Sequence, residues 1–324
     1  MDSRNGLSKV RGSDHSDGSA FFNSLCIFGD MSSPVSAEMN SLVESTRLSK
    51  PLHVATWNVL SETYLRKYRL RGSYRGVPEI QSRYELVRDV VLELSSRNHF
   101  VALQEVDHEL VQLLGLAGLP FHFAIRGPGK PDGIAWWASK DTEVRSSTFE
   151  QFPLFERPQS TPRTQIARMF AIAQITVHQR AFRICCTHFE SDHTKAETLD
   201  GRSTQIGEAQ SEHLLSRLPL QPNVMDVIVG DLNATVGDGA VNTLVEHGFI
   251  PAIEQARRPR GTAAIDDKSS PPDPSRRHMQ KWLDIDWVLA RGATQLSATT
   301  PLAALPLPSC QMPSDHLPVE ALIH

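Results

Sequence analysis

The sequence predicts an α/β fold built on mixed β-sheets. Three observations lead to it. Short apolar runs alternate with segments of helical period from residue 51 to residue 324. Two neighbouring runs are joined by so short a link that they form an antiparallel hairpin. Helices separate only some of the strands, which argues against a purely parallel, doubly wound sheet.

The elements follow in order. "HVATWNVL" (His53 to Leu60) reads as a strand. "IQSRYELVRDVVLELSS" places Tyr84, Val87, Val91 and Leu94 on one helical face. "FVALQEV" is a strand, and "HELVQLLGLAG" is a helix closed by glycine. "GIAWWAS" follows a Gly-Pro-Gly-Lys-Pro loop and reads as a strand. "MFAIAQITV" and "FRICCTHF" are the hairpin, turning at His178 to Arg180. "STQIGEAQSEHLLSRL" reads as a helix starting from a Ser/Thr cap. "DVIVGDLN", "DIDWVLA" and "LPVEALI" complete a set of about eight or nine strands. Residues Gln255 to Lys281 are basic and Pro-rich, without period, and are expected to be a loop. No linker divides the body, so one domain is expected over 51–324, preceded by a disordered tail over 1–50.

Composition narrows the function. Apolar content of 40% and charged content of 22% are those of a globular protein. A net charge of −4 excludes a protein held to nucleic acid by bulk charge alone, but not an enzyme that handles phosphate through a metal. None of the four cysteines has C-x-x-C spacing, so no zinc site is expected. Cys185 and Cys186, adjacent within a strand, point to opposite faces as small core residues of a reducing compartment. No run is long enough for a membrane span, and the N-terminus lacks the apolar core of a signal peptide. An intracellular monomer, cytoplasmic or nuclear, without membrane contact is the expectation.

Function is written at the strand ends. "VIVGDLN" ends an apolar run in glycine and then sets Asp231 and Asn233 one residue apart, so that both emerge to one side. Asn58 ends "ATWN", Glu105 lies in "LQEV" and His188 in "CCTHFES". Asp286 lies in "LDIDWV", and Asp315 and His316 precede the final strand in "PSDHLPV". Carboxylates in such places need one another, a basic partner or a cation. A hard divalent cation with oxygen ligands, completed by substrate phosphate, fits best. Trp136 and Trp137 read as core and surface strand residues, and Trp57 and Trp287 as packing beneath the site.

The ordered set "TWNVL", "LQEV", "THFES", "GDLNA", "DIDW" and "PSDHLPV" resembles the endonuclease/exonuclease/phosphatase superfamily, the DNase I-like fold, over His53 to Ile323. The resemblance implies a four-layer α/β sandwich: two central mixed sheets packed face to face, with helices outside. It implies Mg²⁺, or Mn²⁺ in its place, held by Glu105 with Asn58 beside it and Asp315 as a further metal-side residue. Asp231 would activate or orient the attacking water, and Asn233 would help position it. His316 would contact the scissile phosphate, oriented by Asp286, with His188 as a second phosphate-side group. Arg257, Arg258 and Arg260 are expected at the pocket rim, binding a polyanionic substrate. "TWNVLSETYL" and "MPSDHLPV" are similar to the nocturnin and Angel deadenylases, and "THFES" with "GDLN" to tyrosyl-DNA phosphodiesterase. Asp284, where many members carry a basic residue, sets the chain apart from apurinic endonucleases. The expected activity is hydrolysis of a phosphodiester in nucleic acid or a nucleotide-linked substrate. The alternatives are a phosphatase acting on a small phosphorylated molecule and a non-catalytic interaction module of the same fold.

Overall fold

β-branched and aromatic runs fill a pleated surface, and apolar residues at i, i+3 and i+4 fill a helix face. In the computed structural model those patterns become β1 (Leu52–Asn58), α1 (Glu62–Leu70), α2 (Ile80–Arg97), β2 (Phe100–Val106), α3 (His108–Leu116), β3 (His122–Ile125), β4 (Gly133–Ala138) and β5 (Glu143–Gln151). They continue through β6 (Met169–Val177), β7 (Arg180–His188), α4 (Ile206–Arg217), β8 (Val224–Asp231), α5 (Gly239–Glu246), β9 (Ile250–Pro251), β10 (Asp286–Arg291), β11 (Leu296–Thr299) and β12 (Val319–Ile323). The structure describes residues 50–70, 79–127, 130–156, 165–190, 195–197, 203–252, 263–266, 280–299 and 312–324. The expected tail, Lys50 excepted, and Arg257, Arg258 and Arg260 lie outside the described residues.

Two six-stranded sheets result, with orders β11-β12-β1-β2-β4-β3 and β9-β10-β8-β7-β6-β5. Each has one parallel pair near its centre, β1 with β2 and β7 with β8, and antiparallel neighbours elsewhere. The parallel pairs require crossovers, which α1 with α2 and α4 supply. Between the sheets lies one apolar layer that includes Val54, Ala102, Trp136, Cys186, Val227 and Val288. Each fully buried aliphatic or aromatic side chain there contributes about 1.5–3 kcal/mol. Outside the first sheet, α2 and α3 pack Val87, Val91, Leu94, Leu110 and Leu114 against Val101 and Leu103. Outside the second, α4 and α5 pack Leu214, Val241 and Leu244 against Ile228 and Leu289. This is the four-layer α/β sandwich. Cys185 joins the outer layer and Cys186 the inner one, on opposite faces as expected.

Several expectations are corrected. The sheets hold more strands than expected from the sequence. β5 is an edge strand exposed along most of its length, so it has no apolar alternation to read. The expected Ser/Thr cap of α4 is absent: Gln205 is the cap residue, and Ser203–Gln205 pairs instead with Lys195–Glu197. The stretch expected as a loop from 255 to 281 contains a ladder, Ala263–Asp266 with Gln280–Leu283. These runs are too short to show a period. The β6–β7 turn is the two residues His178 and Gln179, both at positive φ, the geometry that a tight hairpin demands.

Candidate active site

The functional side chains gather where β1, β2, β7 and β8 end. On the first sheet the row runs Asp315 and His316 before β12, Asn58 at the end of β1, Glu105 in β2, Asp132 before β4 and Arg126 after β3. On the second it runs Asp286 at the start of β10, Asp231 at the end of β8, His188 at the end of β7 and Arg168 before β6. Asp231 is in register with Asp286 on one side and His188 on the other.

Local backbone features aim these groups. Glu105 is the extra residue of a bulge, since Gln104 pairs with Ile134 and Val106 with Gly133. It takes a positive φ of 58°. The bulge returns Val106 to the same outer layer as Leu103 and frees Glu105 to turn toward the strand ends. Gly230 has φ 143°, and a Cβ there would meet the Thr187 carbonyl oxygen at 1.9 Å. Only glycine lets β7 and β8 approach so closely just before Asp231 and His188.

Asn58 joins the two rows. Its Nδ2 donates to Asp231 Oδ2 at 2.9 Å and to Glu105 Oε1 at 3.3 Å. Its Oδ1 accepts from the Leu60 amide at 3.0 Å, which fixes the orientation of the side-chain amide. Glu105 Oε2 accepts from the Ser61 amide at 3.0 Å. Asp231 Oδ1 accepts from the Asn233 amide at 2.8 Å, and the Asn233 side chain donates to the Phe189 carbonyl. His316 Nδ1 lies 2.8 Å from Asp286 Oδ2, and its Nε2 is 3.9 Å from Asp231 Oδ2. Asp315 Oδ1 is 4.0 Å from the same Nε2.

Burial pushes the Asp231 carboxyl up to about 6, with the Asp286 charge adding to the effect against His316 and the two amide donors. Burial, then the charges of Asp132 and Asp315, push Glu105 up to about 7. Burial opposes a charge on His316, yet Asp286, aided by Asp315 and Asp231, outweighs it and holds the imidazole pKa well above its ordinary value. His188 goes the other way. Burial and the neighbouring Arg168 and Arg126 hold it well below, so it is neutral and its 3.5 Å approach to Asp231 is not an ion pair.

Two donor sets fit a hard cation. Asp231, Asp286 and His316 offer ligand atoms within 4.8 Å of one another, although His316 spends Nδ1 on Asp286. Glu105 is the other: the carboxylates of Asp132 and Asp315 are near enough to raise its pKa, and among the described residues its oxygens accept only from the neutral Asn58 and Ser61 donors. Oxygen donors in a carboxylate-rich, partly buried pocket suit Mg²⁺ or Mn²⁺.

The structure thus brings together Asn58, Glu105, His188, Asp231, Asn233, Asp286, Asp315 and His316. Sequence reasoning missed four charged residues of the rows or beside them. Arg168 donates to His188 Nε2 at 3.1 Å and to Glu190 Oε2 at 3.1 Å. Glu190 belongs to "THFES", a motif that could have flagged it. Arg126 donates to Asp132 Oδ1 at 2.7 Å and to the Tyr64 hydroxyl. The signal for this pair is that it brackets the Gly-Pro-Gly-Lys-Pro loop. Trp57 and Trp287, expected beneath the site, are fully buried. Their indole N–H groups donate to the His316 and Ala234 carbonyls and brace the site loops.

Comparison with known proteins bears on the family and the fold. No curated protein matches the chain. Among solved structures, an endonuclease/exonuclease/phosphatase from Bacteroides vulgatus is 20% identical, with TM-score 0.59, covering 85% of this chain and 99% of that one. D. rerio TDP2 complexed with single-strand DNA product is 17% identical, with TM-score 0.56 and coverage of 85% and 99%. The human nocturnin catalytic domain with bound sulfate is 19% identical, with TM-score 0.56 and coverage of 85% and 93%. The profile of the Endonuclease/Exonuclease/phosphatase family matches residues 55–316, a span that begins in β1 and ends on His316 itself. With the family's span and fold both present, the chain belongs to the endonuclease/exonuclease/phosphatase family, whose members are typically hydrolases acting on phosphoester bonds.

Proposed function

We propose that this protein is a divalent-metal-dependent phosphodiesterase acting on nucleic acid or a nucleotide-linked phosphoester. One observation carries the reading: Asp231 is buried at the meeting of two sheets, beside Asp286 and linked through Asn58 to Glu105, in a pocket where, among the described residues, carboxylates outnumber cations. Such an excess is unfavourable unless a cation enters.

Glu105, with Asp315 at its side, would hold Mg²⁺ or Mn²⁺. The bound ion would neutralise phosphate charge and polarise the phosphoryl oxygen. The chain's own groups do the rest. Asp231, ionised at neutral pH, accepts a hydrogen bond from the attacking water and takes its proton as the new P–O bond forms; the P–O bond to the leaving group breaks, and the departing oxygen is protonated from solvent. The Asn233 amide and Asn58 fix that carboxylate so that the water is held in line with the bond to be broken. His316, kept protonated by Asp286, offers Nε2–H to a phosphate oxygen as charge develops. The guanidinium of Arg168, anchored by Glu190, adds positive potential on the His188 side.

The fold likeness to TDP2 with a DNA product and to nocturnin supports a nucleotide-containing substrate. The test is a Mg²⁺-dependent activity panel of single-stranded DNA, 5′-tyrosyl DNA, poly(A) RNA, NADP and an inositol phosphate. Hydrolysis of a nucleotide-containing substrate, abolished by EDTA, is expected. Turnover of the inositol phosphate alone would reassign the protein to the small-molecule phosphatases.

A further inference from the structure

Asp132 stands immediately before β4 and has no role in the site as read from the sequence. Backbone register puts it just past the Glu105 bulge, one residue beyond Gly133, the partner of Val106. Glu105 bulges between the partners of Ile134 and Gly133, and the next residue outward on that strand is Asp132. On its other side, the Arg126 amide donates to the Asp132 carbonyl at 3.2 Å. The Asp132 side chain is wholly buried.

Its two oxygens are unlike. Oδ1 accepts from Arg126 Nη2 at 2.7 Å. Oδ2 is buried with no hydrogen-bond partner among the described residues, and so is Arg126 Nε. The pair therefore does not form the two-pronged fork that would satisfy both oxygens. A buried carboxylate oxygen with nothing to accept from is strongly disfavoured, so a donor belongs there. Arg126 Nη2 is committed to Oδ1 and Tyr64, and Arg126 Nε makes no hydrogen bond to Oδ2. The remaining donor of fitting chemistry is water, and a water polarised by a cation is the strongest such donor.

We propose that Asp132 is a metal-positioning residue, whose Oδ2 accepts from a water of the divalent cation held by Glu105. This rests on the metal reading of Glu105 above. Mg²⁺ keeps several of its waters, so the groups that receive their protons fix the hydrated ion as surely as direct ligands do. Arg126 then serves to hold Oδ1, which leaves Oδ2 for the ion's water shell.

The test is Mn²⁺ binding to the full chain without substrate, followed by the EPR signal of the free ion. Asp132→Asn keeps an acceptor for Arg126 and removes the charge. Its Kd for Mn²⁺ should weaken about tenfold or more, with the melting temperature in EDTA within a few degrees of the parent. The rise in melting temperature on adding Mn²⁺ should shrink in parallel. An unchanged Kd overturns the proposal and leaves Asp132 as the counter-ion of Arg126 only. Should Asp132→Asn fail to fold, the double variant Arg126→Gln/Asp132→Asn removes the pair together and is read in the same way. Glu105→Gln is the reference: if it binds Mn²⁺ as tightly as the parent, the metal reading of Glu105 fails, and this proposal with it. That result is distinct from an effect seen at Glu105 but not at Asp132.

Discussion

Strand β8 carries a buried carboxylate near each end, and their partners separate structure from function. Asp226 receives Arg183 Nε at 2.7 Å on one oxygen and Arg291 Nη2 at 2.5 Å on the other. Asp231 receives two amide N–H groups and, among the described residues, no guanidinium. Asp226 is thus a finished ion cluster, while the one cation near Asp231 among the described residues is His316, at 3.9 Å and already paired with Asp286. The two should respond differently to loss of the carboxylate charge. Asp226→Asn strands the buried Arg183 and the partly buried Arg291 and should lower stability by about 3–5 kcal/mol in urea denaturation. Asp231→Asn removes a buried charge that Asp286 repels and keeps the shape, so the melting temperature in EDTA should not fall. A large loss of stability at Asp231 and none at Asp226 would reverse these roles. Glu105→Gln should fold normally and lose most activity at limiting Mg²⁺; full activity of that variant in EDTA would remove the metal from the account.

At the scale of the element, two backbone irregularities do what side chains cannot. The Glu105 bulge re-aims a residue that regular alternation would have buried among the helix-facing side chains. Gly230 lets two parallel strands close up beside the site. Gly230→Ala would drive its Cβ into the Thr187 carbonyl at a φ that L-residues avoid. The β7–β8 ladder would open and part His188 from Asp231. A loss of stability of about 1–3 kcal/mol or more is expected, with kcat falling further than stability alone accounts for. Parent-like melting and kcat would show that the close approach is not needed. The same irregularities mark the limit of what the sequence reveals. "VIVGD" and "FVALQEV" are legible because a strand buried on both faces is an unbroken apolar run, so a terminal acid or glycine stands out. β5 is not, because a polar edge strand has no contrast between its faces. Arg168 carries no sequence signal, and Arg126 and Asp132 show only as the brackets of a loop, because strand register, not sequence spacing, carries them to the site. The orientation of the Asn58 amide depends on one backbone donor, Leu60, which no motif encodes.

Across the whole molecule, titration is divided between two regions. Away from the site, His53, His99 and His178 meet edge to face, with both ring separations 5.2 Å. Burial, with repulsion from His178 and His324, lowers the His53 pKa below 6.5 against the opposing charge of Glu320. Burial and the neighbouring His53 and His178 lower His99 as well, against Asp141. The unfolded chain therefore binds protons before the folded one. Their contribution to stability is lost as pH falls through about 6.5 toward the depressed folded values. His316, raised, acts in the opposite sense: its contribution is complete below about 6.5 and is lost as pH rises through its folded pKa. A difference measurement isolates the first region. Between about pH 7.5 and about pH 5.5, the fall in urea midpoint should be smaller for His99→Gln than for the parent, and equal falls would dismiss the histidine cluster as a pH-sensitive element. The chemistry itself is tested most directly at Asp231, by kcat for Asp231→Asn on the best nucleotide substrate at saturating Mg²⁺. If Asp231 is the base that takes the water's proton, kcat falls about a hundredfold or more with KM nearly unchanged; a kcat within a few-fold of the parent would contradict that role.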